Sequence, residues 1–210
     1  MIHLNILWES GVLSAPRTAG VVACVCIWAF AAAVYEQGAG FHSAACMFKN
    51  AMKSIPEANQ DDIYDDIYWY MKTLWEHLIG HYLYASGYAV MCVCYAWAYR
   101  NHTIGGRLGC TPLSLLLSAA LLNGIVIAGV AIDFPSGCLV ALLYLCLYGI
   151  GALGLYCVSL YRSGGDKNIF HFGRRPVIHY YILSYIIALF LIVLWIIIVG
   201  GMKTRSQAGY

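Results

Sequence analysis

Residues 177–202 read VIHYYILSYIIALFLIVLWIIIVGGM and contain no Asp, Glu, Lys or Arg. At ~1.5 Å per residue, an apolar run of this length crosses the ~30 Å hydrocarbon core of a bilayer as an α-helix. Strand-like alternation is absent, and a backbone in lipid must satisfy its own polar groups within the segment. The stretch therefore predicts a transmembrane helix. Four more uncharged apolar runs lie near 19–35, 82–99, 112–132 and 138–161. The expected fold is all-α: a polytopic membrane bundle of about five transmembrane helices in a single domain over 1–210.

Composition agrees. The 210 residues are 61% hydrophobic and 10% charged, with a mean hydropathy of +0.71; an ordinary soluble domain is about 25% charged. A chain this short has too little interior to hide that much apolar surface from water, so membrane lipids are its natural surroundings. A net charge of +2 makes no case for nucleic acid. Of the nine cysteines, Cys24, Cys26, Cys92, Cys94, Cys146 and Cys157 fall inside apolar runs, where thiols act as small hydrophobes. The first run has a rival reading as a cleaved signal, with Arg17 before it and Ala31-Ala32-Ala33 at its end. The long preceding stretch with Glu9 counts against that.

Five crossings put Arg17, Arg100, Arg107, Arg162, Lys167, Arg174 and Arg175 on one side and Lys49, Lys53, Lys72, Lys203 and Arg205 on the other. The richer side is expected to be cytoplasmic, with the N-terminus inside and the C-terminus outside. The sequon Asn101-His102-Thr103 then stays unmodified, and a glycan there would reverse the orientation.

Between the first two runs, Phe41, Ala44, Ala45, Phe48, Met52 and Ile55 recur at helical spacing, and Ile63, Ile67, Tyr70, Met71 and Leu74 resume it. Pro56 and Glu57-Ala58-Asn59-Gln60 interrupt the pattern, and Asp61 and Asp62 suit a helix start. This predicts two long helices, 19–54 and 61–99, forming an antiparallel hairpin whose part at 36–81 stands outside the bilayer. Counting back from the turn places His42 at about the depth of Glu76 and His77. His81 shares a face with His77, while Glu76 lies ~100° around the helix from it. The loop carrying Asp133 returns to the same side.

Ionisable groups at membrane depth are costly and are functional candidates by default. The sharpest reading is a site for zinc or another divalent metal, with His42, His77 and His81 as ligands and Glu76 and Asp133 as catalytic or orienting carboxylates. Such a site, with one position open, supplies an activated water for hydrolysing an ester or amide of a lipid or other apolar small molecule at the extracytoplasmic or lumenal interface. The ingredients are those of the His-Glu-x-x-His zincins, but the order here is Glu76-His77-x-x-x-His81, so that family's roles do not carry over. Over a handful of residues the cluster also resembles the seven-helix membrane hydrolases that include alkaline ceramidases. That group has seven spans and paired histidines in its last, where this chain has five spans and His179 alone.

Three other readings stand beside it. His42 and His81 could be the axial pair of a b-type haem. Glu76 could donate a proton in a cofactor-free membrane cyclase or isomerase. Or the protein is a non-enzymatic membrane subunit or scaffold whose histidines, with Tyr64, Tyr68, Trp69, Tyr70 and Trp75, form an interfacial belt. Elsewhere, Asn123-Gly124 suggests a polar helix contact, and Gly149, Gly151 and Gly154 suggest close helix packing. No nucleotide-binding glycine loop, nucleophile elbow or internal repeat is present.

Overall fold

A computed structural model describes residues 2–54, 62–104, 108–162 and 172–209. The expected hinge at Pro56, with Glu57–Gln60 and Asp61, lies outside them, as do Arg107, Lys167 and His171. Among the described residues all regular structure is helical: α1 (Ile2–Glu9), α2 (Ala19–Lys53), α3 (Asp62–Tyr70), a π-helical segment (Met71–Gly80), α4 (His81–Ala98), α5 (Cys110–Asp133), α6 (Gly137–Arg162) and α7 (Pro176–Val199).

Among the described residues, four helices are long and apolar enough to cross a membrane: α2, α5, most of α6, and α7. They match four of the five expected crossings. The fifth, near 82–99, is helical as α4, but His81, Trp97 and four tyrosines dilute its 18 residues. The surfaces of the four match lipid as the solvent. Phe30, Leu115, Leu147 and Ile197, one on each, are 73%, 66%, 69% and 71% exposed, and water-soluble monomers rarely present large apolar surfaces of this kind. All nine cysteines are free.

The chain divides into two compact units, Met1–Cys24 with Cys92–Tyr210, and Val25–Met91. In the larger unit α5 packs most closely on α7. Ala120, Gly124, Ala128 and Ala131 form its buried stripe. A Cβ at Gly124 would stand 2.7 Å from Ile187 Cγ2 and 2.8 Å from the Ser184 carbonyl oxygen, so the missing side chain lets the backbones approach. The core continues through Cys138, Leu145, Tyr185, Ala188 and Ile192. Pro176 opens α7 and Gly200, at φ 68°, closes it, the usual asymmetry of helix ends. Gly149, Gly151 and Gly154 correct the sequence reading: a Cβ at any of them would meet nothing within 4 Å. All three point into open space around α6, so spacing alone misjudged which glycines mark an approach.

In the smaller unit α2 runs antiparallel to the helix that passes from α3 through the π segment into α4. Tyr35 meets Tyr88, His42 meets His81, Phe41 meets Trp75, and Lys53 meets Tyr68. From 35/88 through 42/81 to 53/68 one chain number rises as the other falls. The seam is built from small residues at heptad spacing, Ala31, Gly38 and Ala45 on one helix and Gly80 and Gly87 on the other. A Cβ at Gly38 would run into the Tyr84 backbone nitrogen, and one at Gly80 would stand 3.1 Å from His42 Cα. Backbones this close bring short side chains on opposite helices into contact.

Candidate functional site

On α2, His42, Cys46 and Lys49 are spaced by four and three residues, which puts them on one face. The facing helix supplies Glu76, His77 and His81 through a change of register. In a regular α-helix, residues five apart point ~140° away from each other at ~100° per residue. Here the His81 N–H donates to the Glu76 carbonyl oxygen, the i to i+5 closure of a π-helix, and brings the two residues over one another. Glu76 and His81 are both buried, at 7% and 5% exposure.

The Lys49 Nζ donates to both carboxylate oxygens of Glu76, at 2.7 and 2.6 Å. The Cys46 thiol donates to Glu76 Oε1 at 3.5 Å and lies 3.9 Å from His42 Nδ1. His77 Nε2 is 3.8 Å from Oε1. The His42 ring stacks on His81 with centroids 4.8 Å apart, and His77 lies 5.3 Å from His81. Tyr84 stands edge-on to His42 and His81, at 5.9 and 5.4 Å. One ligand atom each from His42, Cys46 and Glu76 lies within 4.8 Å of the others.

Electrostatics sort these groups. Burial opposes ionisation of Glu76, but the Lys49 hydrogen bonds and charge, with smaller help from His77 and Cys46, outweigh it. The carboxyl is held below its usual range and is an anion at neutral pH. For His81, burial comes first, followed by repulsion from the His42 and His77 imidazoles, and its pKa is pushed down to about 4. It is therefore uncharged at neutral pH.

The structure thus brings together four of the residues singled out from sequence: His42, Glu76, His77 and His81. Asp133 belongs to the other unit, at the end of α5, where Arg205 Nε lies 3.1 Å from its Oδ1. Cys46 and Lys49 escaped the sequence reading. A signal for both was present in their spacing from His42, but Cys46 was flanked by apolar residues and Lys49 looked like an ordinary interfacial charge. Further along the same hairpin, Met52, Lys53, Tyr64, Asp65, Tyr68 and Trp69 line an open cavity of about 400 Å³. No protein family, no curated protein and no solved structure matches this chain.

Proposed function

We propose that this multi-pass membrane protein binds a zinc-type divalent cation through His42, Cys46 and Glu76, and uses it on a lipid or other apolar substrate at the membrane boundary. The convergence of three ligand atoms within 4.8 Å carries the reading. Atoms bound tetrahedrally at ~2.0–2.3 Å stand ~3.3–3.8 Å apart. The Cys46 sulfur already stands 3.5 Å from Glu76 Oε1 and 3.9 Å from His42 Nδ1, while the full spread of up to 4.8 Å would close by about 1–1.5 Å on binding. An imidazole, a thiol and a carboxylate together suit zinc better than magnesium or calcium, which prefer oxygen alone. Three protein ligands leave the fourth position open, as in catalytic zinc sites. A cation held there would supply Lewis acidity and an activated water.

The remaining side chains have roles of their own. His77 lies against Glu76 and steadies the carboxylate. His81, neutral at physiological pH, stacks on the His42 ring and helps to orient it. Asp133, expected as a second carboxylate, is engaged by Arg205. Face-to-face stacking of His42 on His81 leaves no plane for a macrocycle between them, which disfavours haem. Glu76 held as an anion by Lys49 is a poor proton donor, which disfavours the cofactor-free cyclase.

One observation favours a second, non-enzymatic reading. The bidentate Lys49–Glu76 pair already satisfies the carboxylate and could act as a lock between the two helices of a membrane subunit or scaffold. Metal analysis of detergent-purified, zinc-loaded protein separates the two. The metal reading expects one equivalent, lost in His42→Ala and Cys46→Ala, and a cobalt–thiolate absorption band absent from Cys46→Ala. Metal-free wild-type protein would leave the lock.

A further inference from the structure

Lys49 is placed to do more than balance a charge. Its ammonium contacts both oxygens of Glu76, the carboxylate that completes the ligand triad, at 2.7 and 2.6 Å. Lys49 also lies on the same helical stripe as His42 and Cys46. A cation bonded to Glu76 at ~2.1 Å would lie beside that ammonium, and two positive groups at such range repel strongly where water is scarce.

Charge balance makes the choice binary. With Lys49 in place, the Cys46 thiol, the Glu76 carboxylate and the Lys49 ammonium sum to zero. With a divalent cation, the Cys46 S–H bond breaks, its proton leaves to solvent and a metal–sulfur bond forms. The thiolate and carboxylate then neutralise the ion, and the site returns to zero only once the ammonium has left. A state holding both cations keeps an uncompensated positive charge in a buried place. The lysine stem is flexible, and its side chain is already 16% exposed, so it can move outward.

We infer that Lys49 is a built-in competitor for the metal: its ammonium holds Glu76 in the metal-free protein and swings out when the cation enters, so Lys49 sets the affinity of the site. This rests on the metal reading above.

The test is a zinc titration of full-length protein in detergent at one fixed pH, in competition with a coloured chelator, for wild type, Lys49→Met and Lys49→Arg. Alongside it, acylation of Lys49 in the wild type, read by mass spectrometry with and without zinc, reports directly on the ammonium. The expected results are tightening of about tenfold or more in Lys49→Met, no tightening in Lys49→Arg, and faster acylation of Lys49 with zinc present. One equivalent of zinc in wild type with Lys49→Met binding no tighter overturns the competitor role and leaves the metal site standing. Acylation unmoved by bound zinc overturns it equally, and decides the matter if Lys49→Met does not fold. Zinc binding in neither wild type nor Lys49→Met removes the metal reading and this inference with it.

Discussion

Two histidines are buried almost equally, His81 at 5% and His179 at 7% exposure, yet they keep different company. His179, on α7, pairs through Nε2 with the Tyr156 hydroxyl at 2.8 Å, away from any carboxylate cluster among the described residues. His81 stands among two further imidazoles, a carboxylate and an ammonium. The ion pairs repeat the contrast. The Asp133 and Arg205 side chains are 37% and 59% exposed, those of Glu76 and Lys49 9% and 16%. Burial of a polar side chain is thus compatible with plain packing. Convergence of several ionisable groups on one seam calls for another explanation.

The largest effect that could break this contrast is on stability. Lys49→Met strands the Glu76 anion beneath the helix packing and should cost about 3–5 kcal/mol, as when one partner of a buried pair is removed. Thermal unfolding in detergent would show it, and added zinc should restore part of the loss, because a ligand that binds only the folded state stabilises it. A change under about 1 kcal/mol would make the pair no different from a surface one.

Next comes acid. His81 has its folded pKa depressed from 6.5 to about 4, so the unfolded chain takes up a proton first. Its contribution is complete above pH 6.5 and drains away as pH falls toward 4. Glu76, depressed below its ordinary 4.5, acts in the same direction at lower pH. An unfolding midpoint followed downward from pH 7 should begin to drop near 6.5, and His81→Phe should delay the onset. A flat profile to pH 4.5 would show that burial beside the other imidazoles does not keep His81 from protonation.

The smallest effect sharpens the contrast. Arg205→Ala removes an exposed partner and should cost at most about 1 kcal/mol, with salt erasing even that.

The hairpin contacts show how far counting along a chain can reach. Antiparallel helices share one rise per residue, so the distance of His42 from the turn foretold its meeting with the Glu76–His81 stretch. The same counting assumed 100° per residue throughout and put Glu76 off the face of the histidines. The π register from Met71 to Gly80 turned Glu76 toward His81 and narrowed that offset. Glycines were harder still: Gly38, Gly80 and Gly124 mark close approaches while Gly149, Gly151 and Gly154 face open space. All six look alike in a string of letters.

The sequence by itself determined that this chain is helical and apolar enough for lipid. Segment length, charge content and backbone self-sufficiency are local properties, and neighbours do not alter them. Only the tertiary structure decided that Cys46 joins His42 and Glu76, that Lys49 holds the carboxylate, and that Asp133 answers to Arg205. Those outcomes depend on how each helix is rotated about its axis and on which backbones come near enough to touch, and both are set by packing between segments distant along the chain.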